Sequence, residues 1–229
     1  MKRLIVGLVL LVALAVAADR VALVAAQNEL ATAIQDEEHL AQRPTVALRG
    51  FPFLTQALSG HYTGGRVTVA ELTVKQLRLK NLVADLSDVT VPLGDLVTGR
   101  VRQVPVGLVK GTALVTYVDL AAATGTKDLK IRPKGDELEL EVPVTYLGQT
   151  VQLVASARIG VHGQALRITS GEVQGVPLPA PVTQAAFGQL ANAVPLDNLP
   201  YGMKVEALRV TDAGIDVTFL ARNAVLRPA

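Results

Sequence analysis

Arg66-Val67-Thr68-Val69-Ala70-Glu71-Leu72-Thr73-Val74-Lys75-Gln76-Leu77-Arg78-Leu79-Lys80-Asn81-Leu82 decides the fold class. Its apolar residues, Val67, Val69, Leu72, Val74, Leu77, Leu79 and Leu82, step along the chain by two, then three, then two again. A helix would space them by three and four, and a flat half-buried strand by two throughout. Repeated slips in a run rich in Val, Leu and Thr point to bulged strands, and bulges bend a sheet. Working outward, similar runs predict strands over Thr45–Arg49, Arg66–Val74, Leu77–Val91, Gln103–Tyr117 and Glu137–Tyr146. Further strands are expected over Thr150–Val161, Ala165–Val173, Lys204–Thr211 and Ile215–Leu220, with glycine-containing breaks such as Gly148-Gln149 and Ala213-Gly214.

Helices are few. Residues 19–42 read as one, with Leu23, Ala26, Leu30, Ala33, Ile34 and Ala41 on a single face and Pro44 closing it. Pro181–Val194 reads as a second, a shorter one is expected over Asp119–Thr124, and Pro92–Thr98 is a helical turn or a loop. The expected class is α+β and β-rich, a long curved antiparallel sheet wrapped around one or two helices. Such a sheet leaves a concave apolar face for the helices or a lipid to fill.

The N-terminus has its own logic. Lys2 and Arg3 precede an unbroken small and apolar run, Leu4–Ala18. Fifteen residues fall short of the roughly 20 of a membrane span but suit a signal peptide. Ala15-Val16-Ala17 has the small-x-small form of a cleavage site, and the apolar Val21–Ala26 beyond it leaves an uncleaved, tilted anchor as the alternative. The expected organisation is a signal peptide or membrane anchor over 1–18, an N-terminal helix over 19–44 and a single β-rich domain over 45–229.

Composition narrows the function. Half of the 229 residues are hydrophobic and 18% are charged, which excludes a disordered chain. The absence of cysteine excludes disulfides, zinc-thiolate sites and thiol nucleophiles. Removing Lys2 and Arg3 from 22 basic residues leaves 20 against 20 acidic ones, so the body is neutral and offers no case for nucleic acid. His39, His61 and His162 are isolated, and no G-x-S-x-G elbow occurs. The glycine-rich Gly60–Gly65 lacks the Lys-Ser/Thr ending of a phosphate loop. Asp85, Asp88 and Asp95 lack the dense oxygen spacing of a calcium loop and read as solvated charges. No catalytic residue, metal ligand or cofactor is expected.

The aromatics are more informative. Of eight, Phe51, Phe53 and Tyr62 fall within 12 residues and bracket Leu54 and Leu58. The segment Arg49–Gly60 reads as a loop whose path is set by glycine and proline. It would plug one end of the sheet, line a ligand mouth or touch a membrane, and plain core packing is the simplest reading.

Gly50-Phe51-Pro52-Phe53-Leu54-Thr55-Gln56, followed by Gly60, resembles the signature of the LmeA-like family of actinobacterial cell-envelope phospholipid-binding proteins. Leu199-Pro200-Tyr201-Gly202-Met203-Lys204-Val205 and Val210-Thr211-Asp212-Ala213-Gly214-Ile215 extend the resemblance, and the order of segments is similar over nearly the whole chain. The resemblance implies a non-enzymatic lipid binder outside the cytoplasmic membrane, tied to mannan elongation on lipoglycans and to envelope maintenance. It also implies a fold similar to the tubular lipid-binding class and no catalytic residues to carry over.

The expected acyl-chain contacts are Phe51, Phe53, Leu54, Leu58 and Tyr62 at one end of the sheet. Phe187, Leu190 and Val194 should face the interior from the second helix, and Tyr201 is a further expected lipid contact. Arg49, Arg66, Lys75, Arg78 and Arg100 are the candidate headgroup rim, since residues 66–110 carry seven basic side chains against four acidic ones. Phospholipid, a membrane surface and envelope glycosyltransferase machinery are the expected partners. The alternative is a non-catalytic scaffolding protein of the envelope that acts through protein partners at its sheet edges.

Overall fold

The N-terminal apolar run and the helix expected over 19–42 are one element. In the computed structural model, which describes residues 2–74, 77–98, 102–146, 148–162, 165–174 and 202–226, α1 runs unbroken from Lys2 to Glu37. Its first half is exposed and apolar, and the helix is long and apolar enough to cross a membrane. Its second half buries Asp19 and Ala31 and half-buries Leu23, Ala26 and Ile34. Leu30 and Ala33, expected on that face, are exposed while Ala31 is buried; the helix ends at Glu37, short of the expected 42, so Ala41 lies beyond it and is exposed, and Leu40 is buried there.

β1 (Thr45–Arg49), α2 (Phe53–Ser59), β2 (His61–Val74), β3 (Leu77–Thr90), α3 (Leu93–Thr98) and β4 (Val104–Val115) follow. Then come α4 (Tyr117–Ala123), β5 (Lys130–Lys134), β6 (Glu137–Tyr146), β7 (Gln149–His162), β8 (Ala165–Gln174), β9 (Lys204–Thr211) and β10 (Gly214–Leu226). A six-stranded antiparallel sheet has the order β1-β2-β3-β4-β10-β9, and a four-stranded one the order β5-β6-β7-β8. The chain is thus α+β and β-rich, as its alternation predicts. α2, read from sequence as loop, is a helix; β5 was not foreseen. The helix expected over 181–194 lies outside the described residues.

The slips in the 66–82 run have three separate causes. Ala70 and Glu71 are both exposed, so two successive residues of β2 face outward. The step from Val74 to Leu77 falls between strands. At the third step Asn81 sits in the left-handed region at φ 50°, and Asp88 repeats this seven residues later in β3 at φ 54°. Asn and Asp tolerate that conformation, which is how an extra residue is accommodated within a strand. Register shifts also occur at Thr218/Phe219 in β10 and at Ala155/Ala157 in β7.

The residues group into two compact units, one of 1–70, 83–110 and 221–229, the other of 71–82 and 111–220. All four crossings between them fall inside strands, so no linker marks a boundary. The first unit buries Phe53, Val69, Val91, Val106 and Val109. The second holds a continuous core of Ala113, Val115, Leu138, Leu140, Leu153, Ile215 and Val217 with Leu120 of α4. Gly111 lets the Phe219 ring into this core, since a Cβ there would lie 2.0 Å from the ring. α4 is capped by Thr116, whose Oγ1 accepts from the Asp119 N–H at 3.2 Å and donates to Asp119 Oδ2 at 2.5 Å. β5 is the outer strand of its sheet, with Lys130 and Arg132 paired to Glu141 and Lys134 to Glu139.

Candidate functional site

The aromatic segment is built on backbone conformations that its sequence dictates. Gly50 has φ 98°, and a Cβ there would meet the Gln56 amide at 2.4 Å. Gln56 turns back beneath the loop: its Nε2 donates to the Pro52 carbonyl at 3.3 Å and its Oε1 accepts from the Thr63 N–H at 2.8 Å. Gly60 ends α2 in the left-handed conformation at φ 72°, where a Cβ would lie 3.0 Å from the Val91 carbonyl oxygen. Four of the motif's positions are therefore structural: Gly50, Gln56, Gly60 and the buried Phe53, whose ring lies 6.2 Å from that of Tyr62.

The remaining apolar positions face outward. Phe51 is 63%, Leu54 38% and Leu58 73% exposed, and Leu54 and Leu58 share one face of α2. Of the five aromatic-segment contacts expected, these three are available to a ligand or surface, Tyr62 is half-buried and Phe53 belongs to the core. Partial burial also pushes the Tyr62 phenol above its ordinary range.

α2 has no side-chain cap of its own, because Pro52 stands at its N-cap. The acceptor comes from α1: Asp19, only 3% exposed, takes the Leu54 N–H on Oδ1 at 2.8 Å. Its other oxygen accepts from Arg20, whose guanidinium lies 5.0 Å from the centroid of the Phe51 ring. The end of the apolar N-terminal run is thus tied to the exposed aromatic segment. Sequence reasoning missed Asp19. An acid directly after an apolar run, followed by an Arg, was the available signal.

Two of the five expected rim residues come together. Arg66 meets Asp85 through Nε at 3.0 Å and Nη2 at 2.9 Å, and Arg49 bonds the same carboxylate. β1 and β2 bring them close by pairing Ala47 with Arg66 and Arg49 with Gly64. The Arg66 hydrogen bonds hold the Asp85 carboxyl below the usual carboxylate range; partial burial opposes this, and Arg49 adds to it. The cluster keeps one net positive charge on a half-exposed surface. Arg78, by contrast, lies in the other unit, 3.4 Å from Glu71 and 3.8 Å from Asp119. Lys75, Arg100, Phe187, Leu190, Val194 and Tyr201 lie outside the described residues.

The second unit carries a cavity of about 520 Å³ lined by Asn81, Thr112, Leu114, Arg209, Asp216 and Thr218 among others. Thr112 and Leu114 alternate with the buried Ala113 and Val115, and Asp216 and Thr218 with the buried Ile215 and Val217. The hollow is mixed in character, with Ala113, Leu114, Ala207 and Leu208 lining it beside these polar side chains. No group of three His, Asp or Glu side chains able to hold a metal ion occurs among the described residues.

The second part of the resemblance is structural where it is described. The Tyr117 hydroxyl bonds the Thr211 and Gly214 carbonyls, and a Cβ at Gly214 would lie 2.2 Å from the Val115 carbonyl oxygen. The β9–β10 turn is thereby locked against the end of β4. A family model described as LmeA-like phospholipid-binding matches residues 17–219. No curated protein and no solved structure matches the chain.

Proposed function

Because the chain belongs to the LmeA-like phospholipid-binding family, we propose that it is an exported, non-catalytic protein that holds or shuttles phospholipid acyl chains at the outer face of the cytoplasmic membrane. Its place in the cell would be to support lipoglycan mannan elongation and envelope maintenance, beside envelope glycosyltransferase machinery. The family match, covering residues 17–219, is the observation that carries this reading.

The physical chemistry is compatible. Burying acyl chains in an apolar groove contributes about 0.8 kcal/mol per methylene, so the chains supply most of the affinity. Phe187, Leu190 and Val194 are the residues proposed to line that groove. Arg49 and Arg66, sharing one carboxylate, leave guanidinium donors for a phosphate at its rim. α1 would serve as leader or anchor.

The test is direct. The full chain is purified in mild detergent, extracted with organic solvent and its lipids identified by mass spectrometry. A phospholipid retained in near-stoichiometric amount, and transferred between donor and acceptor vesicles, is the expected result. A lipid-free protein that neither binds nor transfers phospholipid would return the chain to the scaffolding alternative.

A further inference from the structure

The uninterrupted apolar run of α1 is shorter than the hydrocarbon core, so a span built on this helix has to take in Asp19 and Arg20. Leu4–Ala18 is fifteen residues, or about 22 Å of helix at 1.5 Å per residue. The hydrocarbon core is about 30 Å thick, leaving a deficit of about 8 Å, or about five residues. Those five residues begin with Asp19 and Arg20, side chains that ordinarily end a span.

The structure removes that obstacle. Asp19 is buried beneath α2, its carboxylate shared by the Leu54 N–H and Arg20, so the two charges neutralise each other. The Arg20 guanidinium stays on Asp19 and lies 5.0 Å from the centroid of the Phe51 ring. Asp19 is buried while Arg20 stays 44% exposed, and the exposed residues nearby include Val21 and Val24 on α1 and Phe51, Leu54 and Leu58 on the α2 segment.

We infer that α2 is a second membrane-embedded element: Phe51, Leu54 and Leu58 enter the outer leaflet beside the end of α1 and complete its apolar span. The inference rests on the anchored form of the proposed function and adds to it the residues that meet the lipid. It also explains why an exposed face of α2 carries leucines at both Leu54 and Leu58, and why Asp19 rather than a local side chain caps that helix.

The chain contains no tryptophan, so a single introduced one is an unambiguous depth reporter. Leu10→Trp, Leu58→Trp, Phe51→Trp and Ala33→Trp are prepared in the full chain and reconstituted in phosphatidylcholine–phosphatidylglycerol vesicles. Each is measured with and without bromine on the acyl chains. Ala33 is exposed and fourteen residues past Asp19, about 21 Å along the helix. Leu10→Trp, Leu58→Trp and Phe51→Trp should be quenched at least twofold and emit at shorter wavelength, with Ala33→Trp unaffected. Quenching of Leu10→Trp with Leu58→Trp and Phe51→Trp behaving like Ala33→Trp overturns the inference while leaving the anchor in place. Leu10→Trp unquenched removes the anchor and the inference together, and lipid retention in the extraction experiment remains a separate measurement. Quenching of all four, Ala33→Trp included, lays the helix along the surface and equally overturns it.

Discussion

Replacing Asp85 by Asn tests the electrostatic core of the proposed rim. The carboxylate accepts a bidentate pair from Arg66 and a further bond from Arg49, and the three side chains are 30–52% exposed. At that exposure solvent screens each pair to about 0.2–1 kcal/mol. Two such pairs, plus the repulsion left between the arginines, give a loss of about 1–2 kcal/mol for Asp85→Asn. For a chain of this size that corresponds to about 2–8 °C in melting temperature. The pH dependence follows from the direction of the shift. A carboxyl held below its ordinary range contributes its full stability above the unfolded value near 3.9, and loses it as pH falls through the folded value. Asn cannot titrate, so the gap between parent and variant should be complete at pH 7, shrink below about pH 4 and close once the parent's carboxyl is protonated. Thermal melts of both proteins in detergent micelles from pH 7 to pH 2.5 measure this. A gap that is absent at pH 7, or that stays constant to pH 2.5, refutes the reasoning. Freeing both guanidinium groups should also tighten binding to phosphatidylglycerol vesicles, and Arg66→Gln should weaken it about tenfold for one lost charge-assisted contact.

Gly111→Ala puts a methyl into the space of the Phe219 ring and should destabilise the protein by about 1–3 kcal/mol, seen as a lower melting temperature that Phe219→Leu partly restores. Asp19→Ala removes the acceptor of the Leu54 N–H, so amide exchange at α2 should accelerate by at least tenfold while β6 and β7 keep their protection. Leu190→Trp adds volume in the proposed groove and should weaken phospholipid binding with at most a small change in melting, against a control at the exposed Lys134. Equal lipid affinity in folded Leu190→Trp and parent would place the groove elsewhere.

Most strands were legible because alternation is a local signal. β1, β6 and β9 have the bounds their residues predict, β8 runs one residue further at its end and β7 one residue further at both ends. β2 was underestimated by five residues, since Gly64 and Gly65 look like a break. They are instead buried in the sheet, where a Cβ at Gly64 would lie 2.0 Å from the Leu86 carbonyl oxygen. β5 escaped because Lys-Ile-Arg-Pro-Lys has one apolar residue that the core uses, Ile131, and carries a proline that only an outer strand tolerates. α2 was hidden by its length of seven residues and by a cap that comes from Asp19, thirty-five positions from Leu54. The convergence of Arg49 and Arg66 on Asp85 was equally illegible, because it depends on strand register and not on spacing along the chain.

The outer position of β5 has a consequence for how copies of this protein can associate. An open strand edge is an invitation to extend the sheet with another chain. Here that edge presents Lys130, Arg132 and Lys134 in alternation, and Pro133 offers no N–H. A second copy approaching edge to edge would meet three long side chains already held to Glu141 and Glu139, on a strand that has one N–H fewer. Extension of the sheet from copy to copy is therefore disfavoured along this strand.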